Sequence, residues 1–170
     1  YKTYYPADNY VEQNPDDWWQ VICKGIHNIK EKTGIKTKEI AAIGVDGTSW
    51  ACIPVDRNGD PLRRAMLWLD RRAEKQAEWM KKTVGEETLI NTNGNPIDPA
   101  YITPKILWIK ENEPETYERC DKFLQSNAYI VYKLTGEYSQ DYSQGYGLHF
   151  FNIKKGTWNK EIADELGISL

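Results

Sequence analysis

This sequence predicts an α/β fold, and three observations predict it. Helix-like and strand-like stretches alternate along 170 residues without a domain-length break. Ile40 to Val45 is apolar or small throughout and carries no charge, which suits a strand covered on both faces. Directly after it come Asp46, Gly47, Thr48, Ser49 and Trp50. A carboxylate, a permissive glycine, two hydroxyls and an indole thus sit at the carboxyl end of that strand, where open α/β sheets bind ligands.

The elements follow in order. Residues 1 to 13 are Tyr-rich and aperiodic, an extended lead-in. Asn14-Pro15-Asp16-Asp17 starts a helix with a cap residue, a proline at the first position and acids at the positive end of the dipole. Trp18, Ile22, Ile26 and Ile29 share one face of it, and Gly34 ends it. After the Ile40 strand, Ala51 to Val55 reads as a second strand and Ala65 to Leu69 as its return, with Asn58-Gly59 as the hairpin signal between them. A helix is expected from about Arg71 to Val84, turning Ala73, Ala77, Met80 and Val84 inward, and then a turn-rich loop from Asn91 to Pro99. Pro104 suits the first turn of a helix that buries Ile106 and Ile109 and ends near Asn112. Glu113-Pro114 starts a short helix ending near Cys120, and Lys122 to Leu124 reads as a short strand. Ser126 or Asn127 caps a helix through Leu134 that Gly136 closes. Asp141 to Gly147 is a polar loop, Leu148 to Ile153 a strand, Gly156 a turn, and Asn159 to Leu166 a helix stopped by Gly167.

Composition narrows the function classes. A net charge of −3 gives no basic surface for nucleic acid. The seven Trp and eleven Tyr outnumber three Phe, which favours aromatics with a polar handle, for packing first and for stacking on sugars second. Cys23, Cys52 and Cys120 are odd in number and widely spaced, as in a reduced cytoplasmic protein. His27 and His149 neighbour no cysteine, so no metal site is expected. No apolar run approaches spanning length and no basic-then-apolar leader opens the sequence, so no membrane partner is expected.

Several residues could carry chemistry. There is no GxxxxGK(S/T), so the turn at Asp46 is not a P-loop, and Asp46 reads better as a carboxylate bonding its own backbone. Ser49 and Trp50 could grip a polyol through a hydroxyl and an indole; a core tryptophan is the competing reading. Trp68 and Asp70 share a face by strand alternation and could form a ring wall beside a hydroxyl-accepting acid, or Asp70 could cap the next helix. Asp98, followed by Tyr101 in an amide-rich loop, could reach a ligand hydroxyl or simply be solvated. No Ser-His-Asp or Cys-His order stands out.

Four segments together resemble one family. YVEQNPDDWW, GVDGTSWACIPVDRNGDPLRRAMLWLDRRA, TPKILWIKEN and YKLTGEYSQDYS are similar, in order and approximate spacing, to the N-terminal lobe of FGGY carbohydrate kinases, with xylulokinases the most similar branch. The resemblance implies a ribonuclease H-like (actin/hexokinase-like) lobe, with a mixed central sheet flanked by helices and incomplete at its N-terminus. It also implies ATP and Mg2+ as cofactors of a longer parent, a sugar or polyol substrate, and a missing C-terminal ATP-binding lobe as partner. A homodimer is one assembly it allows. Ser49 and Trp50 fall where xylulokinases place a sugar-contacting Met-His pair and glycerol kinases an Arg-Glu pair. Trp68 matches a tryptophan of the glycerol kinase polyol site, and Asp70 the acid of the xylulokinase WND segment. Asp98 falls in a loop similar to a glycerol kinase substrate loop, whose aromatic residue lies nearest Ala100 or Tyr101. Loss of Met-His leaves the sugar open, and Ala100 and Ile102 depart from the types expected before Lys105, whereas Lys105, Trp108 and Asn112 fit. The presumed catalytic aspartate is expected beyond Leu170. A non-enzymatic carbohydrate-binding or sensing domain is the rival expectation.

Overall fold

The computed structural model describes residues 1–170. The lead-in is extended, and it also pairs. β1 (Thr3–Tyr4) and β2 (Glu12–Gln13) form an antiparallel ribbon whose inner strand pairs with β4 (Ala65–Met66), with Glu12 opposite Met66. Helix α1 runs Pro15–Thr33; Asn14 Oδ1 accepts the Asp16 N–H at 3.3 Å, and Gly34 closes the helix in the left-handed conformation. Strand β3 (Ile53–Val55) is fully buried and pairs antiparallel with β5 (Lys122–Leu124). Reciprocal Cys52–Met66 backbone bonds of 2.9 and 3.1 Å join the two ladders.

Between β3 and β4 the expected Asn-Gly turn forms. Asp56 Oδ1 accepts the N–H groups of Asn58 and Asp60, and Gly59 sits at φ 78°. That glycine is doubly required: a Cβ there would lie 1.9 Å from the Tyr132 ring.

The helical layer begins with α2 (Glu74–Met80). The expected stop at Val84 is a correction: a π-helical turn over Lys81–Gly85 leads straight into α3 (Glu86–Asn93), which occupies the start of the expected Asn91 loop. Gly85 at φ 90° resets the helix instead of ending it, and fully buried Leu89 anchors the continuation. Helix α4 (Ile102–Asn112) crosses the core with Ile106 and Ile109 inward; α5 (Pro114–Arg119) follows as expected, whereas α6 (Ser126–Thr135) has Gln125, not Ser126 or Asn127, at its N-cap, because the Ser126 hydroxyl is taken by Thr48 O. The polar loop after α6 contains a short helix, α7 (Tyr142–Gly145), capped by Asp141. The expected strand over 148–153 narrows to β6 (Phe151–Asn152), in a hairpin with β7 (Thr157–Trp158), before α8 (Lys160–Glu165).

A second correction is larger. Ile40 to Val45 is not a buried strand. It runs irregularly along the surface, and Ile43 is 56% exposed. An apolar run states a preference for burial, but a strand also needs ladder partners for its N–H and C=O groups. Here β3 is taken by β5, and β4 by β2 and the Cys52 bridge. Every strand pair in the structure is antiparallel, so the parallel part of the expected mixed sheet is absent.

The core has two parts. One packs Cys52, Met66, Met80, Ile106, Ile109 and Phe151 between the helices, and the other gathers Trp18, Ile53, Val55, Leu124 and Tyr129 beneath α1 and α6. Replacing Gly59 by Ala combines a left-handed non-glycine with overpacking against Tyr132, so it should lower stability by about 2–4 kcal/mol. Urea unfolding of the variant checks this. A change under about 0.5 kcal/mol would mean the turn relaxes freely.

Candidate functional site

The site starts at the turn after the bare segment. Asp46 accepts the N–H of Gly47 at 2.7 Å, the local turn role its position suggested. Gly47 lets the backbone press against the start of α6, since a Cβ would meet Ser126 Oγ at 2.5 Å and Asn127 N at 2.8 Å. Ser126 Oγ in turn donates to Thr48 O at 2.7 Å. Trp50 adopts φ 62°, a left-handed conformation that costs a non-glycine residue about 1–2 kcal/mol. Its N–H donates to Gln125 Oε1 at 3.2 Å, and Gln125 Nε2 donates to Gln144 O at 2.7 Å. The strained residue is therefore held by a buried amide that also grips α7.

Around it, aromatic rings stack. The Trp50 indole lies over Tyr101 at 4.4 Å and meets the edge of Tyr146 at 5.8 Å. Tyr101 is buried, and its hydroxyl donates to Asn95 Oδ1 at 3.3 Å. Ser49 Oγ accepts from Gln144 Nε2 at 3.4 Å, a long contact. Trp50 Nε1 and Gln144 Oε1 are shielded and have no partner: one donor and one acceptor.

Lys105 ties these segments together. It is fully buried, and Nζ donates to the carbonyls of Trp50 (3.0 Å), Leu67 (2.6 Å) and Ala100 (2.6 Å). Burial pushes its pKa down to about 8, against the opposing pull of Cys52 and Asp70. Trp68, next to Leu67, is 47% exposed. Asp98 is partly exposed at the rim, bound by Arg71 through two bonds of 3.0 and 3.1 Å and by the Ala100 N–H at 2.8 Å. Burial opposes its ionisation, but the Ala100 N–H and the Arg71 guanidinium outweigh that and hold its carboxyl below the usual range.

Of the six residues singled out from the sequence, the structure gathers Ser49, Trp50, Trp68, Asp98 and Tyr101 on the segments joined by Lys105 and Gln125. Asp70 is the correction. It has no exposed surface, and its oxygens are taken by Arg72 and by the Val11 N–H at 2.7 Å. It braces the lead-in. Gln125, Gln144 and Tyr146 were missed, because an amide or a ring in a helix or loop carries no spacing signal. A cleft of about 290 Å³ lies elsewhere at the turn, lined by Trp18, Ile22, Asp46, Thr48, Ser126 and Ile130; Trp50, Trp68 and Asp98 do not line it.

His149 backs the ring stack. It is fully buried, edge-on to Tyr101 at 5.2 Å, with Nε2 3.1 Å from Pro96 O. A carbonyl only accepts, so Nε2 carries the proton and Nδ1 is bare. Burial pushes its pKa down to about 4, outweighing the Pro96 contact. No group of three His, Cys, Asp or Glu side chains converges anywhere in the chain. Its three cysteines are free, and no helix is long and apolar enough to cross a membrane.

An α/β lobe with a ring-lined, hydroxyl-bearing edge at a turn beside its sheet fits a class of small-molecule-binding lobes, and comparison with known proteins narrows the class. The model of the FGGY family of carbohydrate kinases, N-terminal domain, matches residues 1–170. The chain belongs to that family. It is 33% identical over 167 residues to the xylulose kinase of Staphylococcus epidermidis (strain ATCC 12228 / FDA PCI 1200), covering 98% of this chain and 33% of that protein. It is 32% identical over 169 residues to the glycerol kinase of Thermococcus gammatolerans, covering 97% of this chain and 34% of that one. In fold it matches the crystal structure of a xyloylose kinase from Brucella ovis with a TM-score of 0.92 at 24% identity, over 99% of this chain and 35% of that one. The expected α/β lobe fold is therefore the observed one, with antiparallel pairing in place of the mixed sheet. The chain spans about a third of the length of these relatives.

Two measurements test this description. Asp70→Asn takes one of the two carboxylates from buried Arg72, leaving Glu12, and should destabilise the chain by about 3–5 kcal/mol in urea unfolding; an unchanged midpoint would mean that Glu12 alone suffices. His149 takes its proton in the unfolded chain near pH 6.5 but only near pH 4 when folded. Its contribution is therefore complete above pH 6.5 and lost as pH falls toward 4, about 3 kcal/mol in all. His149→Phe should flatten that part of the stability–pH curve.

Proposed function

We propose that residues 1–170 form most of the sugar-binding lobe of a longer ATP-dependent kinase. The parent transfers the γ-phosphoryl group of ATP to a hydroxyl of a ketose or polyol, with xylulose the first candidate. The observation that carries this reading is the edge that Lys105 ties together: Trp50 on Tyr101, Ser49 beside them, and Trp68 and Asp98 at the rim. Two further facts support it. The relatives are xylulose and glycerol kinases. Val21, Ile29, Ile35 and Ile43, on α1 and the segment after it, are also exposed, as in a lobe that packs against more protein.

In this reading Trp68 is an apolar wall for sugar C–H faces, Ser49 and Asp98 bond hydroxyls, and Trp50, backed by Tyr101, sets the shape. The orphaned Trp50 N–H and Gln144 carbonyl are a donor and an acceptor left unpaired inside the edge. The residues present do not fit a magnesium–nucleotide group: no three potential metal ligands converge, Glu12 and Asp70 meet only around Arg72, and Asp46 is turned to the Gly47 N–H. Nucleotide, metal and general base therefore belong to the rest of the parent. What this lobe contributes is orientation. Good positioning is worth about 7–11 kcal/mol, whereas one hydrogen bond adds about 1. The shape of the edge thus outweighs any single contact on it. The rival reading, a sugar-binding domain without catalysis, has no observation of its own in its favour.

ADP release by the intact protein across ketoses, aldonates and polyols is the test. Turnover with a ketose, and none by the 170-residue chain alone, is expected; no turnover with any sugar would end the kinase reading. In the same assay Trp50→Ala should raise the sugar KM about tenfold or more and leave the ATP KM unchanged, because it removes the ring that sets the shape together with its contact on Tyr101.

A further inference from the structure

Lys105 is the one buried cation in the chain with no carboxylate bonded to it. Its side chain leaves α4, crosses the core beside Cys52 and ends on three backbone carbonyls from three separate segments: the strained turn at Trp50, the strand end at Leu67 and the loop at Ala100. Buried carbonyls need donors, and a water or an amide could serve. Removing an ammonium from water costs several kcal/mol, so a charge is an expensive way to satisfy them. What an ammonium offers in return is geometry. It has three N–H donors on one atom, and the three acceptors lie at 2.6–3.0 Å. One atom thereby fixes the mutual separation of the backbones that carry Trp50, Trp68 and the Ala100–Tyr101 step.

We propose that Lys105 is a positioning residue: by donating to the Trp50, Leu67 and Ala100 carbonyls it sets the spacing of the Trp50, Trp68 and Tyr101 segments, and so the shape of the ligand edge. It touches no ligand itself. The sugar-specific part of this assignment rests on the reading under Proposed function; the geometric part does not. The other ionisable groups around Lys105 are already committed. Cys52 is held as a thiol, its pKa pushed up by burial to about 12; Asp70 is paired with Arg72; Asp98 is paired with Arg71. Loss of the Lys105 proton leaves two donors for three carbonyls, so one segment is released while the fold stays intact.

Lys105→Met keeps the length and burial of the stem and removes every donor. The readout is the near-ultraviolet circular dichroism of Trp50, taken as the difference between each protein and its Trp50→Phe counterpart. The expected result is a chain that still unfolds cooperatively but has lost most of the Trp50 signal. In the intact protein the sugar KM should rise tenfold or more while kcat changes less than threefold. Should Lys105→Met fail to fold, titration of the unaltered chain decides. The Trp50 signal should then fall with a midpoint near pH 8, with no change in far-ultraviolet signal. A folded Lys105→Met with an unmoved Trp50 signal, or a flat titration from pH 7 to 9.5, overturns the proposal. A Trp50 signal that moves in a protein that turns over no sugar upholds the positioning role and removes the sugar reading alone.

Discussion

The interaction on which the remaining structure depends is the buried ion cluster around Arg72. Its Nη2 donates to Asp70 Oδ2 and to Glu12 Oε1, each at 2.7 Å, and its plane lies 3.7 Å over Tyr10 and 4.9 Å from Trp108. Arg63 shares Glu12 and reaches Glu113 at 2.6 Å. Desolvating such charges costs several kcal/mol each, and a single pair seldom recovers that. Here each charge has more than one partner, and the partners come from the lead-in, the β4 turn, α4 and the start of α5. The cluster turns a Tyr-rich segment without periodicity into a strand of the sheet. It fixes the turn from which Trp68 emerges.

Lys105 does the corresponding work on the other side of that turn. Arg72 binds side chains and locks elements into the core. Lys105 binds only backbone and sets distances between loops. Trp68 lies between the two anchors, with its backbone held from both directions and its ring still 47% exposed. A rigid backbone carrying an exposed ring is what a binding wall requires, because little ordering entropy is lost when a ligand arrives.

Much of the fold was legible because the local signals were complete. Asn14-Pro15 and Gly34 bound a helix, Asn58-Gly59 made a turn, Pro104 sits in the first turn of a helix and Pro114 opens one, each by chemistry confined to a few residues. What failed depended on partners distant in sequence. The π-helical continuation through Gly85 needed the Leu89 pocket, and the Ile40 strand needed ladder partners that β3 and β4 give to β5 and β2. The site divides in the same way. Ser49, Trp50 and Trp68 stood out by residue type at strand ends. Gln125, Gln144 and Lys105 matter only through bonds to carbonyls and amides far along the chain. Asp70 misled because an acid beside a tryptophan looks the same whether it faces a ligand or an arginine.

The bare Ile40–Val45 segment bears on how the ligand edge behaves. Ser49 and Trp50 are held on both sides, by Ser126 at Thr48 O and by Gln125 and Lys105 at Trp50, but the six residues Ile40–Val45 ahead of that turn belong to no sheet. A stretch with no ladder of its own costs about 1–2 kcal/mol per backbone residue to order. Pairing this segment with a neighbouring strand would remove that cost in advance and cover Ile43 in the same step. Order in this segment and burial of the apolar run are therefore one problem: whatever covers Ile40–Val45 also orders the chain ahead of Ser49 and Trp50.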